Sequence, residues 1–333
     1  MKIAVLAAGT WGITLASLLA RKGLEVKVWE HAAEVVEELL ATRRHPKLPH
    51  LEIPPELPIS TDLAATLAGS EAIVCVVPAA HLRETCRRVA ECGYGEQLFV
   101  LCSKGIEQGT HALLTDVAEQ ELGAAARGHI GLLSGPSHAE EVSREIPTAV
   151  TGAAEEIGVA ERIRELFMTP RFRVYTQTDV LGVELSAALK NVIAIACGIA
   201  EGLGFGDNSK AGLVTRGMSE IMRLGTRMGA RQETFFGLAG IGDLVVTCMS
   251  RHSRNWKFGY LLGQGKSPEE ALREVGMVVE GYYTVRAAVE LAAAHDTEMP
   301  ISEAVAKVLF HGVGAGESVE ALMMREPKSE MQG

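Results

Sequence analysis

The sequence predicts an α/β protein, a doubly wound and mostly parallel sheet followed by an all-α C-terminal domain. Three observations carry that prediction. A glycine turn, Ala7-Ala8-Gly9-Thr10-Trp11-Gly12, joins the apolar run Ile3–Leu6 to the apolar stretch Ile13–Leu19. Further continuous apolar runs, each stopped by small or turn residues and followed by helical spacing, fill the first half, as in a parallel sheet covered on both faces. From about Asp179 the texture changes to long helical stretches rich in Ala, Leu, Met and Gly, running to about Ala321.

The opening segment is the most telling. The helical stretch ends at Arg21-Lys22-Gly23, and a second strand-like run, Val26–Trp29, is closed by Glu30. Strand, glycine turn, helix, strand and acid, in that order, build a Rossmann-type dinucleotide site for NAD or NADP. The glycines let the backbone approach a pyrophosphate, the helix N-terminus faces its charge, and the acid can bind a ribose hydroxyl. Gly9, Thr10, Trp11, Gly12, Glu30 and the adjoining His31 are therefore candidate cofactor residues. Ala7 stands where the G-x-G-x-x-G pattern has its first glycine, so the turn must sit at negative φ there or carry strain. A buried hairpin or helix start with incidental glycines is the plainer alternative, but it does not account for four elements in order. A secretory leader is rejected, because Gly9 to Gly12 interrupt the apolar stretch that follows Lys2.

The later strands follow the same grammar. Ala72–Val77 ends at Pro78, Leu98–Cys102 ends at Ser103-Lys104-Gly105, and His129–Leu133 ends at Ser134-Gly135-Pro136. Shorter strands are expected near Thr148–Val150 and Arg173–Tyr175. Ligands of such sheets bind beyond the carboxyl ends of the strands, where Pro78, Lys104 and Ser137 fall. Five prolines between Arg43 and Ser60 predict an irregular loop. The expected division is a dinucleotide-binding domain over 1–178, a helical substrate-binding and catalytic domain over 179–325, and a frayed polar tail over 326–333.

Composition narrows the partners. With 333 residues and 47% hydrophobic content, the chain can fill two ordinary cores. Its apolar runs read as too short to cross a bilayer, so no membrane insertion is expected. The six cysteines (75, 86, 92, 102, 197 and 248) form no Cys-x-x-Cys pair and read as reduced thiols of a cytoplasmic protein. The ten histidines show no metal-ligand spacing, and none is assigned to a metal. A formal charge of −10 argues against nucleic acid as the partner. A small anionic ligand would need a local cationic pocket.

The second half supplies candidates for that pocket. Leu185–Ile195 reads as a buried helix with Lys190-Asn191 in its middle. An amine in apolar surroundings has a lowered pKa and can serve as acid and base near neutrality, although a lysine snorkelling to water fits equally well. The turn Gly237–Gly242 presents Asp243, with Thr247 one helical turn beyond; a helix cap is the plainer role for that acid. Ser253-Arg254-Asn255 combines a hydroxyl, a guanidinium and an amide at a helix start, which suits a phosphate as well as it suits a solvated turn.

Taken in order, these segments resemble bacterial-type NAD(P)-dependent glycerol-3-phosphate dehydrogenase over nearly the whole chain. The matching stretches are Ala8–Gly12, Ser103–Gly105, Ser134–Glu140, Ala188–Val192, Gly202–Asn208, Gly237–Leu244, Ser253–Asn255 and Val278–Tyr282. The resemblance implies reversible hydride transfer between sn-glycerol 3-phosphate and dihydroxyacetone phosphate, supplying phospholipid backbones. It implies Lys190 as the acid/base; Asp243 would orient that lysine, and Lys104 is the leading candidate for the proton donor if Lys190 proves structural. It implies substrate contacts from Lys104, Gly135, Ser137, Lys190, Asp243, Ser253, Arg254 and Asn255, and a cofactor lining from Thr10, Trp11, Lys104, Ala139, Arg254, Val278 and Glu280. A homodimer is left open.

The chain departs from the family at two places. Ala7 replaces the usual first glycine, and Glu30-His31 stand where a small residue and arginines are common, which favours NAD over NADP. Arg43 and Arg44 are the nearest substitutes for those arginines. Three other readings compete: a hydrolase elbow at Gly135–Ala139, a β-hydroxy-acid dehydrogenase, and a nucleotide sensor without turnover. The first leaves the N-terminal turn unexplained, the second gives no reason for Ser253-Arg254-Asn255, and the third none for Lys190, Asp243 and Arg254 together.

Overall fold

The computed structural model describes residues 1–327, 329 and 330. It forms two compact units, one of Met1–Ser103 with Ala112–Val180, the other of Lys104–His111 with the chain from Leu181 onward.

The first unit is built on strands β1 (Lys2–Leu6), β2 (Glu25–Trp29), β3 (Arg44–His45), β4 (Leu48–Glu52), β5 (Ile59–Ser60), β6 (Ala72–Cys75), β7 (Leu98–Leu101), β8 (Ile130–Ser134), β9 (Thr148–Ala153) and β10 (Phe172–Gln177). Eight of them make one sheet in the order β10-β9-β8-β7-β6-β1-β2-β5. From β5 to β8 every pairing is parallel, and so is β9 with β10. The sheet turns antiparallel between β8 and β9, where the link from Ser134 to Thr148 holds only the short helix Ala139–Val142. That leaves little room for the crossover a parallel pair requires. Ile3 to Leu6, and all of β6 and β7, are buried, because helices cover both faces of such a sheet. The doubly wound architecture expected from the sequence is the one observed.

The stretch between Arg43 and Ser60 is a correction. It is not irregular: β3 and β4 pair antiparallel across Pro46-Lys47, and β5 adds an edge strand to β2. Leu48, Leu51, Ile53 and Leu57 are buried and tie the hairpin down. The prolines occupy turn and edge positions, where no ladder hydrogen bond is lost.

In the second unit the described residues contain helices and no strands. At its centre lies the helix Val180–Gly202, in which every residue from Gly182 to Ala200 is buried. It is long and apolar enough to cross a bilayer, contrary to the reading of its runs as too short, but it lies inside the unit. Its interior is reached by glycine. A Cβ on Gly198 would fall 2.1 Å from the Trp256 carbonyl oxygen, and one on Gly202 would fall 2.3 Å from that of Tyr260. In return, Cβ atoms on Gly259 and Gly263 would meet the carbonyl oxygens of Ile195 and Ile199 at 2.1 and 2.4 Å. The helices Val180–Gly202 and Arg254–Gly263 thus cross backbone on backbone, through two glycines four residues apart on each.

Four residues of the expected polar tail, 328 and 331–333, lie outside the described residues. Of the others, Glu330 accepts a hydrogen bond from Arg216 through its carbonyl oxygen.

The glycine crossing generates a stability prediction. Gly259→Ala should lower stability by about 1–3 kcal/mol, the usual cost of overpacking, because the obstructing atom is a carbonyl that cannot rotate away. Denaturant unfolding measures this; an unchanged midpoint would show that the two helices separate freely.

Candidate active site

In the first unit the glycine turn leads from β1 into the helix Thr10–Arg21. Ala7 sits at φ +85°, so the turn takes the strained alternative of the two the sequence allowed. A non-glycine residue there costs roughly 1–3 kcal/mol and persists only where its surroundings fix it. They do so through hydrogen bonds. Ala7 N–H donates to Trp29 O at 2.8 Å, and Ala8 N–H donates to Glu30 Oε2 at 2.9 Å. Glu30 Oε1 accepts from Ala32 N–H at 3.2 Å and pairs with His31 Nδ1 at 2.6 Å. Glu30 is buried, so its first task is to hold the turn; a carboxylate's four acceptor directions leave one on Oε2 for a ribose hydroxyl. The sequence placed Glu30 at the ribose and missed this backbone role.

The turn fits a dinucleotide. Gly12 has no alternative, since its Cβ would fall 2.0 Å from the Ala7 carbonyl oxygen, whereas the space around Gly9 is open. Gly9 caps the helix without a side chain, leaving the first-turn N–H groups of Thr10, Trp11 and Gly12 for a pyrophosphate. On the same edge of the sheet, β8 is followed by Gly135 at φ +141°, where a Cβ would meet Val150 Cα at 2.9 Å. Ser137 follows, its hydroxyl donating to Gly135 O at 2.9 Å, and Ala139 opens the next helix. Arg43 and Arg44 donate instead to the carbonyl oxygens of Leu57 and Pro49, within the hairpin region.

The second unit gathers Lys104, Lys190, Asp243 and Thr247. Lys190 is 5% exposed and Asp243 2%. Lys190 Nζ donates to Asp243 Oδ1 at 2.8 Å and to the Thr247 hydroxyl, while Lys104 Nζ donates to Asp243 Oδ2 at 2.7 Å. The carboxylate is aimed by the turn before it. Leu238–Gly242 forms one π-helical turn, broken at Gly240, whose Cβ would lie 2.2 Å from the Phe235 carbonyl oxygen. Asp243 opens the helix Asp243–Met249, and Thr247, one turn on, returns its hydroxyl to Asp243 O at 2.6 Å. Asp243 is therefore not the helix cap that was the plainer alternative, and Lys190 does not snorkel.

The electrostatics follow from burial and pairing. Desolvation lowers the Lys190 pKa, Asp243 opposes the change, and the Lys104 charge adds to it; the result is about 8. For Asp243 desolvation works upward, but the charges and hydrogen bonds of Lys104 and Lys190 outweigh it and hold the carboxyl below its usual range. Two of the three Lys190 donors are engaged by Asp243 and Thr247. Two ammonium groups around one carboxylate also leave a net positive charge, as an anion requires.

The phosphate candidates adjoin a buried amide chain. Ser253 caps the helix Arg254–Gly263 by accepting from Trp256 N–H at 3.2 Å. Asn255 Nδ2 donates to Asn191 Oδ1 at 2.9 Å, and Asn255 Oδ1 accepts from Gly281 N–H at 2.8 Å. Asn255 is thus largely committed to holding Asn191 and the segment of Val278 and Glu280 in register. Asn191, not singled out as a site residue from sequence, is its partner; a polar residue in the most buried stretch of an apolar helix was the signal. Val278 is exposed, and Glu280 opens the helix Glu280–Ala294.

Comparison with known proteins gives a consistent result. Residues 2–160 match the model of the NAD-dependent glycerol-3-phosphate dehydrogenase N-terminus, and residues 179–320 that of its C-terminus. A glycerol-3-phosphate dehydrogenase [NAD(P)+] of Lactobacillus delbrueckii subsp. bulgaricus is 48% identical over 333 residues, covering 99% of both chains. Another, from Bacillus pumilus, is 46% identical over 99% of this chain and 96% of its own. Among solved structures, a glycerol-3-phosphate dehydrogenase of Coxiella burnetii superposes with a TM-score of 0.92 at 38% identity, over 97% of this chain and 99% of that one. With both halves matched and relatives nearly half identical end to end, the chain belongs to the NAD-dependent glycerol-3-phosphate dehydrogenase family.

Proposed function

We propose that the protein interconverts sn-glycerol 3-phosphate and dihydroxyacetone phosphate with NAD or NADP, supplying glycerol 3-phosphate for phospholipid synthesis. The observation that carries the reading is Lys190, a buried ammonium with two donors fixed by Asp243 and Thr247. The cofactor is assigned to residues 1–178, with Gly9–Gly12, Glu30, His31 and Ala139 against it, joined by Lys104, Arg254, Val278 and Glu280. The chemistry is assigned to 179–325 together with Lys104.

The nicotinamide, when bound, supplies or accepts the hydride at C2. In the reductive direction Lys190 gives a proton to the oxygen forming there, and its hydrogen bond polarises the carbonyl beforehand. Asp243 keeps the ammonium in place and charged, and Thr247 fixes its rotamer. Lys104 balances the second carboxylate oxygen and adds positive charge for the substrate. Arg254 grips the phosphate with Ser253 and the remaining Asn255 N–H, while Gly135 and Ser137 contribute to the substrate site. In oxidation the neutral Lys190 amine takes the hydroxyl proton.

A homodimer in a reducing, cytoplasmic setting completes the proposal. Phe236, Val245 and Met249 are exposed apolar side chains for a second copy to cover, and all six cysteines are free thiols, five of them buried. Sedimentation at the mass of one 35.5 kDa chain would refute the dimer.

Three predictions test the assignment. Lys190→Met should fold and bind NADH but lose about 10²–10⁴-fold in turnover, since the acid/base is removed while its volume is kept. The pH profile carries the sign: ketone reduction needs the protonated lysine, so its rate should fall as pH rises through about 8, and alcohol oxidation should rise over the same interval. Near-normal kcat in Lys190→Met, or profiles of the opposite sense, would make the lysine structural.

Arg254→Ala should weaken dihydroxyacetone phosphate binding by about 2–5 kcal/mol, the usual loss for a charge-assisted pair, with little change in thermal stability. Unphosphorylated dihydroxyacetone should be a very poor substrate of the unmutated enzyme. Comparable efficiency with both ketones would remove Arg254 from the phosphate.

Glu30 places a carboxylate at the end of β2, and Arg43 and Arg44 are held by backbone carbonyls. NADH should therefore be used at least as well as NADPH in kcat/KM. A clear preference for NADPH would refute this and direct attention to Arg43 or Arg44.

A further inference from the structure

The segment Lys104–His111 lies between two stretches of the first unit in sequence, yet it belongs with the second. Each end is tied to a different helix there. Lys104 pairs with Asp243, and His111 Nε2 pairs with the carboxylate of Glu290 on the helix Glu280–Ala294. Between them Ile106 is buried, and Gly105 and Gly109 take positive φ of +148° and +82°. His111 also sits at positive φ, +59°, without being a glycine. Its N–H donates to Glu107 O at 3.1 Å, and Thr110 donates its hydroxyl hydrogen to the Glu107 carboxylate, so the end of the segment folds back on itself. A strained residue of this kind needs an external partner to hold it, and Glu290 is that partner.

We infer that His111 and Glu290 form a positioning pair that fixes the segment 104–111 and thereby holds Lys104 on Asp243; the inference rests on the reading of the site given above. Neither residue touches the reacting groups. Without the pair, the segment can shift and the long Lys104 stem can carry its ammonium into water. Asp243 would then keep Lys190 alone. The ionisable groups acting on Lys190 are Asp243, Lys104 and the Cys248 thiol, of which Lys104 lowers its pKa and the other two raise it. Departure of Lys104 therefore moves the Lys190 pKa upward, an effect that a purely structural pair would not produce.

The test uses the full chain with NADH and dihydroxyacetone phosphate. His111→Asn keeps a residue that tolerates left-handed backbone but is too short to reach Glu290, and Glu290→Gln keeps the shape and removes the charge. Each should lower kcat/KM about tenfold, within the range seen when a remote change misplaces a reacting group. The double variant should be no worse than either single, as for two halves of one contact. The alkaline limb of the reductive profile should move to higher pH in both, as it should in Lys104→Met. Unchanged kcat/KM, additive losses in the double variant, or an unmoved limb would overturn the inference. Amide hydrogen exchange reads the pair without catalysis: residues 104–111 should exchange faster in both single variants, and unchanged protection would also overturn it. A failure of the unmutated chain to oxidise NADH would count against the proposed function, leaving exchange to decide the pair.

Discussion

Asp243 is a carboxylate almost removed from water that accepts hydrogen bonds from two ammonium groups, one on each oxygen. Much else in the second unit follows from this interaction. Burying Lys190 in an apolar helix carries a desolvation cost of several kcal/mol unless a counter-charge stands within hydrogen-bond range. Asp243 supplies it, but a single ion pair would leave a salt bridge with no surplus charge. Adding Lys104 gives the cluster net positive charge and keeps the Lys190 pKa near 8, low enough for proton exchange at ordinary pH. Arginine in either position would pair with the acid as well, yet it could not release a proton.

The cluster requires backbone precision, and the glycines provide it. Gly198 and Gly202 against Gly259 and Gly263 bring two helices closer than any side chain permits. That closeness lets the short side chain of Asn255 reach Asn191, one residue beyond the lysine. The same Asn255 accepts from Gly281, where a Cβ would lie 2.7 Å from Asn191 O. One buried amide therefore ties the lysine helix, the start of the Arg254 helix and the segment after Val278 into a fixed arrangement. A buried amide left half satisfied would cost about 1–3 kcal/mol, so the three elements are strongly coupled.

Elements whose signal is local were legible from the chain alone. Runs of four to six residues between turn signals located β1, β2, β6, β7 and β8 to within two residues, because strands buried on both faces are mostly apolar throughout. Lys190 was legible as an anomaly, a charge inside an apolar helix. What escaped depends on distant partners. Local sequence allowed Ala7 a negative φ; its positive one is dictated by Trp29 and Glu30, more than twenty residues away. The prolines around β4 suggested an irregular loop because their edge positions are defined only by the strands beside them. The glycine spacing at 198/202 and 259/263 was visible in the sequence, but its meaning appears only when the two helices meet. Membership of 104–111 in the second unit has no local signal at all.

The charge of the chain poses a final question, since a protein at −10 must bind a phosphorylated substrate. Ionic screening decides it. At physiological salt the Debye length is about 8 Å, so acidic groups scattered over the surface act weakly on a ligand inside a site. Charges that have been desolvated act strongly, because the medium around them screens less. Lys104 and Lys190 lie against one buried carboxylate, and the candidate phosphate ligand Arg254 begins a helix whose N-terminus carries its own partial positive charge. Two cations held against a buried carboxylate outweigh a larger but solvated acidic surface, and the exposed Arg254 adds its charge at the helix start. The overall sign of the chain then bears on solubility and on the exclusion of polyanions, while the local sign governs what the site accepts.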